Sequence, residues 1–167
     1  MLTWVQLLVT LMGIVQIWLM YVSLVLRFVW LPSIWDTVIP FGIGLLEFLL
    51  ISMMGVEQLG EWLLVMAALF ALATVAMHTA HARARSDAEN SYFFRHIDKA
   101  SWRDYRETAI GVTAMAVIGG YLLVHGYQAF VALFGLLLAG SLLGLQTFLT
   151  RRYWMHTLVP REGDQAG

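Results

Sequence analysis

Thr108–Thr150 reads TAIGVTAMAVIGGYLLVHGYQAFVALFGLLLAGSLLGLQTFLT, 43 residues without one Asp, Glu, Lys or Arg. As a single helix this run would be about 65 Å long, twice the hydrocarbon thickness of a bilayer. His125, Gly126, Tyr127 and Gln128 stand near its middle and supply a turn. The stretch is therefore expected to be a hairpin of two membrane-length helices, 108–125 and 129–150.

Working back toward the N-terminus, three more apolar runs appear, at 62–80, 37–55 and 4–26. The first has His78 near its end, the second is interrupted only by Glu47, and the third is closed by Arg27. The expected fold class is all-α: a polytopic bundle of five transmembrane helices in the lipid bilayer. Composition agrees. The chain is 60% hydrophobic and 13% charged, where a soluble domain carries about a quarter charged residues.

The basic residues orient the bundle. Arg27, Arg83, Arg85, Arg95, Lys99, Arg103, Arg106, Arg151, Arg152 and Arg161 all fall on one side of the five-span arrangement. The positive-inside rule makes that side cytoplasmic, which puts the N-terminus outside and the C-terminus inside. No basic residue precedes Trp4, so the first span is not read as a cleaved signal peptide. Trp4 and Trp62 are expected at the outer interface and Trp30, Trp35 and Trp154 at the inner one, with Trp18 left mid-span. Nine of the ten basic residues are arginine in an Ala-, Leu- and Val-rich chain, which leans toward a bacterial cytoplasmic membrane.

Residues 1–160 read as one membrane domain, with a cytoplasmic loop at 81–107 and a disordered tail at 161–167. In the loop, Arg83–Asp87 and Arg85–Glu89 are i,i+4 pairs that carry the third helix past the membrane. Asn90–Ser91 breaks it, and Ser101 with Asp104 starts the fourth helix early. Between them Tyr92, Phe93, Phe94 and Ile97 alternate with Arg95 and Lys99, as in a segment lying on the inner leaflet. Asp36 is expected to cap the second span, with Pro40 tolerated near its first turn.

Glu47 is the most informative residue. It falls about 15 Å from the inner end of its span, where a carboxylate is costly and usually faces the bundle interior or a wet path. Counting from the same side brings Gln16, Gly119–Gly120, Gly140 and Ser141 to that depth. The functional reading makes Glu47, Gln16, Ser141 and Arg27 parts of an ion or solute pathway. The competing reading makes Glu47 a protonated partner of Gln16, holding two helices together. Thr10, Gly13, Gln16, Met20, Ser23 and Arg27 recur three or four apart on one face of the first span, too polar for lipid. Glu57 and Glu61 would form an acidic outer mouth, although positive-inside topology by itself strips that side of bases. Gly140-xxx-Gly144 and Ala116-xxx-Gly120 suggest close helix contacts, within one chain or between copies.

His78, His81 and His96 are the metal candidates, but their spacing matches no established ligand pattern, and no metal or other cofactor is expected. A haem bridged by His78 and His156 has less support still. There is no cysteine, which removes disulfides, thiolate sites and a cysteine nucleophile. HExxH, GxSxG and glycine-rich phosphate loops are absent, so an enzyme is not expected. A net charge of −1 gives no reason to expect nucleic acid as a partner. The sequence thus reads as an ion or small-solute channel or transporter, oligomeric or joined to other membrane subunits. The alternatives are a non-catalytic subunit or scaffold of a larger membrane complex and, third, a lipid-modifying membrane enzyme.

Overall fold

The computed structural model describes residues 2–28, 33–90 and 102–157; for 23, 24, 26, 27, 89, 102–105 and 149–157 it describes the backbone only. The described residues form five long helices: α1 Leu2–Arg27, α2 Trp35–Ser52, α3 Leu59–Ser86, α4 Trp102–His125 and α5 Ala129–Thr157. Each is long and apolar enough to cross a membrane. The expected spans and the helices correspond one to one. The helices differ from them at the ends: α2 stops at Ser52 where 55 was expected, and α3 runs on to Ser86. Ser101, the interfacial segment 92–99 and the tail 161–167 lie outside the described residues.

Local chemistry accounts for the breaks. Gly126 takes φ +77°, a left-handed conformation that costs glycine little, and its N–H returns to the Leu122 carbonyl at 2.9 Å. This ends α4 and lets α5 start at Ala129. At the other end of α3, Asn90 donates its side-chain N–H to the Ala84 carbonyl at 2.8 Å. A 3-10 turn over Ala88–Asn90 accompanies it, so α3 ends at Ser86, short of the break expected at Asn90–Ser91, and Asp87 and Glu89 lie beyond the helix that their spacing from Arg83 and Arg85 was expected to extend.

α3 is the central helix. It packs most extensively on α4, also on α2, and touches α5; α1 lies on α5 and more loosely on α2. Leu59, Trp62, Leu63, Met66 and Leu69 of α3 are almost completely buried, together with Leu50 and Met115. Outward side chains are equally apolar: Leu8, Phe41, Phe48, Val117, Phe130 and Phe148 are all exposed. A bundle apolar inside and outside suits a hydrocarbon solvent.

The closest backbone approach joins α3 to α4. A Cβ built on Gly60 would lie 2.9 Å from the Leu123 nitrogen, and one on Gly119 2.9 Å from the Gly60 carbonyl oxygen. By contrast, Gly120, Gly140 and Gly144 have nothing within 4 Å of such an atom. The spacing motifs therefore do not mark the tight contact within this chain. Gly60 and Gly119, on different helices, form it.

Trp62 ties α3 to α1. It is fully buried between helices and donates its indole N–H to Thr10 Oγ1 of α1 at 3.1 Å. The central position of α3 surrounds it with other helices, and Thr10 supplies the acceptor that a buried indole needs. Trp4 and Trp35 are exposed, as interfacial rings would be.

Candidate functional site: a buried carboxylate beside an apolar groove

The polar stripe of α1 is turned into the bundle. Thr10, Gly13, Gln16 and Met20 are all buried, and Gln6, one turn before Thr10, extends the stripe. Gln6 is completely buried; its amide reaches the Gly55 carbonyl at 3.4 Å, while its Oε1 has no hydrogen-bond partner. Gln16 Oε1 accepts from the Thr147 hydroxyl of α5 at 3.3 Å. Along the neighbouring interface, Gln146 donates to Thr108 Oγ1 at 2.6 Å, tying α5 to α4. Most of these polar groups serve contacts between helices.

Glu47 is different. It is 8% exposed, and its Oε2 accepts the indole N–H of Trp18 at 3.1 Å, while its Oε1 is buried with no hydrogen-bond partner among the described residues. The expected Glu47–Gln16 bond is not the one formed: Trp18 holds Glu47, and Gln16 goes to Thr147. A buried carboxyl oxygen without a donor is expensive in protein and more so in hydrocarbon, where no bulk water compensates.

The other expected site residues scatter. Ser141 is on the exposed side of α5. Gly119 packs against Gly60 near the start of α3, so it does not share a layer with Glu47. Glu57 is exposed in the turn before α3, and Glu61 is half-buried in its first turn. The side chain of Arg27 is not among those described. His78 is exposed whereas His81 is buried edge-on to Phe28, with ring centroids 5.9 Å apart, so the two imidazoles do not share a surface. His96 lies outside the described residues, among which no cluster of three metal-ligating side chains occurs.

Next to Glu47 lies a groove of about 620 Å³ of empty space, including its open side, between α1, α2 and α3. Its floor is made by Ala73, Ala76 and Ala80 of α3, whose three- and four-residue spacing puts short side chains on one face. Ile17, Trp18 and Tyr21 of α1 form one wall; Trp35, Ile39, Pro40 and Ile43 of α2 form the other. Loose packing of α1 on α2 leaves the space between them. Trp18 and Tyr21 meet edge to face at 5.9 Å.

An ion pair closes one end of the groove. Arg83 Nη2 lies 2.7 Å from Asp36 Oδ1 and Nη1 lies 3.0 Å from Oδ2, a bidentate pair, and Nη1 also donates to Ser33 Oγ at 2.7 Å. Asp36 was expected as the cap of α2. It sits instead in the first turn, where it accepts the Ser33 N–H at 2.6 Å and favours the helix N-terminus by charge. Arg83 stands in the last turns of α3, the favourable end for a cation. Nothing in the sequence announces either this pair or Trp18–Glu47. Their members are 47 and 29 residues apart, beyond the reach of any helical spacing rule. Gln6 alone had a usable signal, one turn from Thr10 on the same face.

No family model matches this chain, and searches of curated proteins and of solved structures likewise found no match.

Proposed function

We propose that this chain is an integral protein of a bacterial cytoplasmic membrane that moves an ion or small solute, with Glu47 as the intramembrane carboxylate. The observation that carries the reading is the buried Glu47 Oε1, which has no hydrogen-bond donor among the described residues although Oε2 has one. A carboxyl group kept only as a structural tie would be expected to use both oxygens. Confinement of Lys and Arg to one side supports an N-out, C-in orientation. Five helices around one groove are few for a pathway through a single copy, so we infer an oligomer.

The test is flux in proteoliposomes with the protein in its wild-type and Glu47→Gln forms. Glutamine keeps the size and an acceptor for Trp18 but cannot bind and release a proton. Flux should fall sharply or lose its pH dependence while the yield of folded protein stays normal. Unchanged, pH-dependent flux in Glu47→Gln would end the proposal.

A second reading, a non-catalytic membrane subunit, is favoured by Gly140 and Gly144. Both leave space on the surface of α5 that another helix could fill. Replacing each by Leu should then dissociate a complex, read as a change in mass by native mass spectrometry.

A further inference from the structure

The groove between α1, α2 and α3 is a slot and not a chamber. It encloses only about 60 Å³, the rest of its space being open along one side. That is far below the roughly 300 Å³ of a small-molecule site, so it holds no solute whole. We propose that it seats one acyl chain of a phospholipid, whose zwitterionic headgroup docks on the Asp36–Arg83 pair. The proposal rests on the helices lying in a membrane and is independent of Glu47.

Length is the first argument. Ala73, Ala76, Ala80 and Arg83 of α3 line the slot, and from Ala73 to Arg83 the helix rises about 15 Å. The hydrocarbon core is about 30 Å thick, so the acyl chains of one leaflet reach about half of that. The slot thus runs the depth of one leaflet, with the ion pair at one end.

Shape is the second. The three alanines keep the floor low, while Ile17, Tyr21, Ile39 and Ile43 rise on either side. Trp18, Tyr21 and Trp35 are exposed at the rim, so the slot opens sideways, where acyl chains stand. α1 and α2 pack loosely on each other, and an acyl chain lying between them supplies the dispersion contacts that their side chains do not.

Charge selects the headgroup. Asp36 and Arg83 are both partly exposed, in the first turn of α2 and the last turns of α3. Trp35, next to Asp36, is exposed, as indoles at the headgroup level are. Together the pair presents an acceptor, a donor and no net charge. A headgroup with an ammonium and a phosphate complements it: ammonium N–H groups donate to the carboxylate and phosphate oxygens accept from the guanidinium. An anionic head would bring its phosphate beside Asp36 with no ammonium to offset the repulsion. A choline head has the positive charge but no N–H to donate.

The full-length protein is purified in detergent, stripped of lipid and titrated with phosphatidylethanolamine, phosphatidylglycerol and phosphatidylcholine bearing the same acyl chains. Native mass spectrometry counts the lipids retained. Phosphatidylethanolamine should saturate at one per protein chain. It should be held at least about tenfold more tightly than the other two, the factor expected of one charge-assisted hydrogen bond. Ala76→Phe, which fills the floor, should abolish retention of all three. Asp36→Asn combined with Arg83→Gln leaves the floor intact and removes both charges; it should keep one lipid and lose the preference. If a variant does not fold, the melting temperature of the wild type with each lipid still gives the ranking. Retention without saturation, equal retention of the three lipids, or a lipid that survives Ala76→Phe would overturn the proposal. So would a preference for phosphatidylglycerol, which would show Arg83 acting apart from Asp36. A dimer that Ala76→Phe splits, with no lipid held, would give the slot to a helix of a second copy and end the proposal as well.

Discussion

The indole N–H of Trp18 lies 3.1 Å from Glu47 Oε2 and ties α1 to α2 inside the bundle. Elsewhere these two helices pack loosely, with the groove between them. The bond sets the position of the carboxylate, because it is the one hydrogen bond Glu47 makes among the described residues. Trp18→Phe keeps the ring and removes the donor. It should cost about 1 kcal/mol, in the range of hydrogen bonds measured within membranes. Thermal unfolding of Trp18→Phe, Glu47→Leu and the double variant would give their coupling; strictly additive losses would show that the bond contributes nothing.

Glycine substitutions should separate the real helix contact from the apparent motif. Gly60→Ala and Gly119→Ala place a methyl group about 3 Å from backbone atoms of the facing helix. Each should destabilise by about 1–3 kcal/mol, the usual cost of overpacking. Gly140→Ala and Gly144→Ala meet open space and should stay within about 0.5 kcal/mol in the isolated chain. Detergent melting curves of the four variants check the order; equal losses at all four positions would refute the α3–α4 contact.

Thr10 offers the oxygen that accepts from the fully buried Trp62 indole. Thr10→Val is nearly isosteric but leaves that N–H without a partner, at a cost of about 1–3 kcal/mol. Thr10→Ser restores the hydroxyl and should recover most of the loss. A Val variant as stable as the wild type would mean that Trp62 finds another acceptor.

The Asp36–Arg83 pair is partly exposed, with side-chain exposures of 24% and 30%. Its contribution should therefore be at most about 1 kcal/mol and should shrink in high salt. Geometry gives the sharper test, since the chain has no cysteine of its own. Asp36→Cys with Arg83→Cys should be joined by a short bismaleimide, whereas Asp36→Cys with Arg85→Cys, whose position is exposed, should react far less. Similar yields from both pairs would contradict the α2–α3 register.

Topology is checked with reporters. If the five helices all cross and the positive-inside rule sets their orientation as proposed, fusions to the two termini should report opposite compartments, the C-terminal one cytoplasmic. Both termini in the cytoplasm would mean that one of the five helices does not cross.

Much of the architecture is legible in the sequence. The number of spans follows from the lengths of uncharged runs, the α4–α5 turn from Gly126 amid polar neighbours, and the burial of Glu47 from its place within an apolar run. These are properties of the chain read locally: hydrocarbon admits a helix by its length and charge, and a left-handed turn by its glycine. The inward face of α1 was legible too, because its polar residues recur at helical spacing.

Partner choice was not. Depth pairs Glu47 with Gln16, yet Trp18 holds it; nothing local tells that Trp62 packs into the core with Thr10 as its acceptor. The tight glycine contact fell to Gly60 and Gly119 and not to the repeated motif on α5. All three depend on how each helix is rotated and which neighbour it meets. In lipid the outside of a helix is as apolar as its inside, so hydrophobicity carries almost no signal for rotation. Only the packing of all five helices decides it, through close backbone contacts and a few polar side chains that must find partners away from water.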